Sequence, residues 1–274
     1  MTAETIRCVE GDAPLIVSMP HTGTQIPPDI EAQLCDVWQA RCDTDWHVEK
    51  LYDFAAGLGA TVVRTEVSRT VIDVNRDPSG VSLYPGMTTT GLCPTETFEG
   101  VPLYASALAA EEIARRRTEF FAPYHTMLER QIRRLRQHHR QVVLFDAHAI
   151  RSRLPRLFDG LLPQFNIGTN AGCGCAPELA RAVTQVCAQS RFSYVLDGRF
   201  KGGWITRHYG APKEGVHAIQ MELACRGYLQ EPQGAISPRN WPVAYDEAFA
   251  APMRARLLDI LKCCLSFARS YEPV

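Results

Sequence analysis

Short apolar, β-branched runs alternate along this chain with longer stretches of helical periodicity, the pattern of an α/β sheet with helices packed on its faces. PLIVSM, over residues 14–19, reads as a buried strand. Across residues 45–57, Val48, Leu51, Tyr52 and Ala55 share one helical stripe, and Gly57 or Gly59 can stop the helix. Strands are expected over 60–64 and 70–74. Residues 81–100 are rich in Gly, Pro and Thr, without clear period. They are too long for a simple connector and suit a loop that covers a site. A helical stretch follows over about 106–139, broken near Pro123. QVVLFDAHAI is then a continuous apolar run that ends in polar residues, as a central strand does when it delivers side chains to a site. Further strands are expected over 193–196 and 216–223.

Composition narrows the function. A chain of 274 residues buries one sizeable core, and with no repeat or linker a single unit over 1–274 is expected. The 29 basic and 30 acidic residues nearly cancel, which argues against nucleic acid as the main partner. The basic run RQIRRLRQHHR lacks interleaved aromatics and reads as a solvated helix face. No secretory signal pattern and no membrane-length apolar run is visible, so a cytoplasmic protein with a small-molecule substrate is expected. The ten cysteines, with Cys173/Cys175 and Cys263/Cys264 lacking C-x-x-C spacing, all read as reduced thiols that act as small buried apolar residues.

Against that background a few polar residues stand out. His21 follows a predicted strand and Pro20, so its ring projects from a turn at the strand's end. Asp146 and His148 close another strand two residues apart and share a face, where one can bind a metal while the other orients it. Asp43, Asp45 and His47 crowd a helix start. There a carboxylate serves either as a cap or as a ligand. Two histidines and one carboxylate make a hydrolytic metal set, assigned to His21, Asp45 and His148 with one divalent ion, zinc in the first instance. Glu222 lies in an apolar strand, where desolvation should raise its pKa toward that of a useful general base. A buried ion pair with Arg226 is the alternative. Asn75 and Arg76 at a strand end, and Arg207 in a Gly-rich loop, are candidates for gripping a substrate carboxylate, with Arg69 a candidate oxyanion stabiliser.

Taken together, SMPHTGTQIP, DTDWHVEKLYDFA, SRTVIDVNRDP, SLYPGMTTTGLCPTETFEG, LFDAHAI, FNIGTNAGCGCAPEL, FKGGWITRHYGAP and HAIQMELACRGYL resemble the N-formylglutamate deformylase (amidohydrolase) family over nearly the whole chain. The resemblance implies hydrolysis of N-formyl-L-glutamate to formate and L-glutamate. It also implies a three-layer α/β domain with a mixed, mostly parallel sheet, similar to zinc carboxypeptidases and aspartoacylase. In those relatives a Glu ligand follows the first His by three positions, where this chain has Thr24, so the carboxylate falls to Asp45. The nearest alternatives are a deacylase of another acidic N-acyl amino acid, such as N-formylaspartate, and a silent module that binds an acidic ligand.

Overall fold

Two nine-residue segments, VVLFDAHAI and VHAIQMELA, are buried at every position, as central strands covered on both faces are. In the computed structural model, which describes residues 5–271, the regular elements are β1 (Ile6–Val9), β2 (Leu15–Met19), α1 (Pro28–Glu31), α2 (Val48–Leu51), β3 (Thr61–Thr65), α3 (Ala110–Arg116), α4 (Ala122–Arg136), β4 (Val142–Ile150), β5 (Phe165–Gly168), α5 (Pro177–Ala188), β6 (Tyr194–Leu196), α6 (Trp204–Tyr209), β7 (Val216–Ala224) and α7 (Glu247–Ser270). Residues 1–4 and 272–274 of the expected 1–274 unit lie outside the described residues. The seven strands form one sheet in the order β1-β3-β2-β4-β7-β5-β6. The four central strands β3, β2, β4 and β7 are parallel, while β1 pairs antiparallel on one side and β5 on the other.

Side-chain alternation sorts the core into two layers. Odd positions such as Val17, Phe145 and Met221 pack with Val183 of α5 and Leu257 of α7. Even positions such as Ile16, Leu144 and Ala218 pack with Leu128 of α4 and Ile205 of α6. The result is the expected three-layer α/β arrangement with a mixed, mostly parallel sheet.

Three local expectations are corrected. Residues 70–74 turn instead of forming a strand: the Asp73 carboxylate accepts the Asn75 N–H at 2.9 Å, and Val71, Ile72 and Val74 are buried without strand pairing. The helix expected from residue 45 begins only at Val48 and passes into a 3₁₀ turn over Asp53–Leu58, ended by Gly59 in the left-handed conformation (φ 76°). The break expected near Pro123 is a wider π turn over Arg117–Phe121, which sits where the proline withholds a helical N–H from the preceding turn. The basic helix face is partly engaged: Arg130 binds Glu10 at 2.5 Å and Arg134 binds Asp12 at 3.1 Å, holding the segment that leads into β2.

All ten cysteines are free thiols, but burial holds for only six of them: Cys35 and Cys173 are exposed, and Cys8 and Cys263 are half-buried. Among the described residues no helix is long and apolar enough to cross a membrane.

Candidate active site

Strand parity assembles the site. Ser18, Asp146, His148, Gln220 and Glu222 all occupy even positions near the carboxyl ends of parallel strands, on the face toward α4 and α6. Register sets Ser18 beside Asp146, Asp146 beside Gln220, and His148 beside Glu222. His21 follows β2 by two residues, and its carbonyl accepts the Asp45 N–H at 3.0 Å. His47, at φ 64°, holds a conformation that costs a non-glycine residue about 1 kcal/mol or more. It turns the chain so that its own ring leaves for the Val243 carbonyl while Asp45 points inward. Asp43 is used elsewhere, accepting the Phe98 N–H at 2.7 Å.

His21 Nδ1, His148 Nδ1 and Asp45 Oδ2 converge, with separations of 3.1, 3.2 and 3.6 Å. Ligands in a tetrahedron about zinc stand about 3.3 Å apart, from bond lengths of about 2.0–2.1 Å. The outer ring nitrogens are fixed by carboxylates: His21 Nε2 lies 2.7 Å from Asp73 and His148 Nε2 lies 2.8 Å from Asp146. Asn75 Oδ1 accepts the Ile205 N–H at 2.8 Å, so its Nδ2 faces Asp146 at 3.1 Å and His148 Nε2 at 3.0 Å, while the Asp146 carboxylate, 2.8 Å from His148 Nε2, favours a proton on that nitrogen. With Nε2 of each ring turned to a carboxylate, the two Nδ1 atoms face each other and the Asp45 oxygen, an arrangement that either a metal ion or a shared proton stabilises. Asp45 Oδ1, which makes no hydrogen bond, lies 3.5 Å from the Arg69 guanidinium and leaves Oδ2 to face the histidines. The donor set fits a divalent metal.

Burial alone would lower the His148 pKa, but Asp146 and Asp45 hold it well above the usual imidazole value, so without a metal this ring carries a proton that a metal would displace. Burial alone would raise the Asp45 pKa, but His21 and His148 overturn it and hold the carboxyl below its usual range. Asp73, also buried, is kept ionised by His21, Arg76 and Arg69.

Glu222 is 8% exposed, and its carboxyl makes no hydrogen bond or ion pair among the described residues. The alternative partner Arg226 lies instead within the field of Glu231. Burial pushes the Glu222 pKa up to about 8, with Asp45 adding to the rise and His148 opposing it. Because this folded-state value exceeds the ordinary 4.5, stability falls as pH climbs from about 4.5 to about 8 and is level beyond. Glu222→Gln should therefore stabilise the metal-free protein by ~1–3 kcal/mol at pH 8 and by little at pH 4.5. Chemical denaturation at the two pH values reads the difference, and an equal effect at both would refute the raised pKa.

His21, His148, Glu222 and Gln220 line a cavity walled by Tyr84, Thr88, Thr90 and Phe98 of the 81–100 loop. Arg69, Arg76 and Arg199 enter the same cavity. Arg69 donates to Asp73 at 2.7 Å and lies 3.5 Å from Asp45. Arg76 is held by the Thr90 carbonyl and hydroxyl, both at 3.0 Å. Asn75 borders the cavity, but both ends of its amide are committed to Asp146 and Ile205. Arg207 lies outside the cavity wall, its guanidinium 4.9 Å above the Tyr84 ring. Asp73, Arg199 and Gln220 escaped the sequence reading. Asp73 was hidden inside an expected strand, and only the need of His21 for a carboxylate partner would have found it.

The family model for N-formylglutamate amidohydrolase matches residues 13–229. N-formylglutamate deformylase of Pseudomonas aeruginosa is 44% identical over 269 residues, covering 97% of this chain and 98% of that protein. The Pseudomonas putida enzyme of the same name is 44% identical over 267 residues, covering 96% and 97%. Among solved structures, N-formylglutamate amidohydrolase from Ralstonia eutropha JMP134 shares the fold with a TM-score of 0.79 at 23% identity, covering 96% of this chain and 98% of that one. A gene product of Agrobacterium tumefaciens does so with a TM-score of 0.71 at 16% identity, covering 96% of each chain. With the model matched across both flanks of the site and two relatives aligned almost end to end, the chain belongs to the N-formylglutamate amidohydrolase family.

Proposed function

We propose that this protein hydrolyses N-formyl-L-glutamate to formate and L-glutamate with a divalent metal, zinc in the first instance, held by His21, Asp45 and His148. One observation carries the reading: two imidazole nitrogens and a carboxylate oxygen converge beside Glu222, whose carboxyl is unpaired among the described residues, in a cavity that also admits arginines. Family membership supplies the substrate.

When bound, the metal supplies a Lewis acid that draws charge from the formyl carbonyl and makes a nearby water more acidic. Glu222 removes the proton from the attacking water and returns it to the departing amide nitrogen. Burial raises its pKa above the ordinary carboxylate range, toward that of a group that must both accept and donate close to neutrality. Arg69, a fixed cation on the cavity wall, helps to hold the oxyanion. Arg76 receives a substrate carboxylate, and Asn75 positions Asp146 behind His148. Asp73 and Asp146 keep both imidazoles in the tautomer that presents Nδ1.

Formate release from N-formyl-L-glutamate, measured before and after metal stripping and again after zinc is restored, tests the proposal. Stripping is expected to remove at least ~10²-fold of the activity, and zinc to restore it. Turnover that persists in the stripped protein rejects the metal, and absence of formate from the loaded enzyme rejects the reaction. N-formyl-L-aspartate in parallel tests the shorter acid.

A further inference from the structure

Arg199 differs from the other cavity arginines in its company. Arg69 bonds to Asp73, and Arg76 lies 3.8 Å from the same carboxylate. Arg199, half-buried, donates instead to two backbone carbonyls, Leu157 at 2.8 Å and Thr88 at 2.9 Å, and its Nη1 has no hydrogen-bond partner among the described residues. It is also flanked by the rings of Tyr84 and Phe200, at 5.6 and 5.2 Å. No carboxylate lies within ion-pair distance of it among the described residues. Neutral acceptors and aromatic faces orient a guanidinium without neutralising it, and a partly desolvated cation without a counter-charge is costly to keep. Arg76 and Arg199 line the same cavity, so two cations face one space, and burial lowers the Arg199 pKa, with Arg76 adding to the fall and Tyr84 and Glu222 opposing it. Gln220 adds a donor: its Oε1 accepts the Gly203 N–H at 2.8 Å, which leaves its amide NH₂ without a hydrogen bond among the described residues.

We propose that Arg199 is the specificity-determining residue for the side-chain carboxylate of the substrate, while Arg76 takes the α-carboxylate. The division follows from anchorage. Arg76 sits on the turn that carries Asp73, the carboxylate behind His21, and so lies nearer the reacting amide. Arg199 is held instead by Leu157 and Thr88, on segments that carry none of the converging donors, where the far end of a dicarboxylate would reach. This assignment rests on the proposed reaction but makes a separate claim about recognition.

Turnover of N-formyl-L-glutamate and of its uncharged isostere N-formyl-L-glutamine reads the contact, and calorimetric binding of L-glutamate and L-glutamine reads it without chemistry. The native protein is expected to prefer the charged member of each pair by about 10²-fold. Arg199→Met should collapse that preference toward one, Arg199→Lys should restore part of it, and Arg207→Met should leave it standing. Equal losses on both substrates in Arg199→Met, an undiminished preference, or collapse in Arg207→Met would overturn the assignment. If neither formyl compound is hydrolysed but L-glutamate binding still depends on Arg199, the reaction is wrong and the recognition holds.

Discussion

Glu222→Gln is expected to lower kcat by about 10³-fold while leaving bound metal and fold intact. The amide keeps the shape of the side chain but cannot take a proton from water. The carboxyl it replaces makes no hydrogen bond among the described residues, so no structural contact is lost with it. Glu222 stands beside His148 on the adjacent strand and close to the converging donors, without lying among them. Metal analysis of the variant should thus match the native protein, and KM should move far less than kcat. Retention of even a tenth of native kcat would leave the proton transfer without its agent. Loss of metal together with activity would make Glu222 a ligand instead of a base.

Asp45→Asn is expected to weaken metal binding by at least ~10²-fold and to lower activity in proportion at limiting metal. The substitution removes one charge from a buried set in which Asp45 is the only carboxylate grouped with the two histidines among the described residues. Excess metal should recover part of the activity, since the Asn oxygen can still approach the ion. Asp43→Asn is the natural comparison, because Asp43 is two residues away but accepts the Phe98 N–H; its metal content should be unchanged. Equilibrium dialysis against a chelator of known affinity distinguishes the pair. Native affinity in Asp45→Asn would move the carboxylate ligand elsewhere.

Much of this arrangement is legible in the sequence. Long apolar runs announced β4 and β7, and polar residues at alternate positions within them marked the face that carries chemistry. Two features obscured the remainder. The turn at 70–74 is apolar enough to imitate a strand, yet its polar side chains are drawn toward His21, so tertiary demand overrides the local pattern. Arg199 and Arg207 stand in equally Gly-rich surroundings in sequence. Only the folded path places one in the cavity wall and the other behind Tyr84. Thiol burial at Cys42, Cys93, Cys175, Cys187, Cys225 and Cys264 needed no such context, because an unpaired Cys behaves as a small apolar residue.

The register of β4 against β7 has an implication for how this protein can change. Aspartate, histidine, glutamine and glutamate reach their places by counting in twos from the strand starts, and the two strands must count in phase. Replacing an odd-numbered neighbour such as Phe145 or Met221 alters only the opposite layer. Adding or deleting one residue upstream in either strand reverses the phase, sending the imidazole or the carboxylate into the greasy side of the sheet. Such strands can drift in composition but not in length, so related proteins should carry their insertions in the loops and almost none before these side chains.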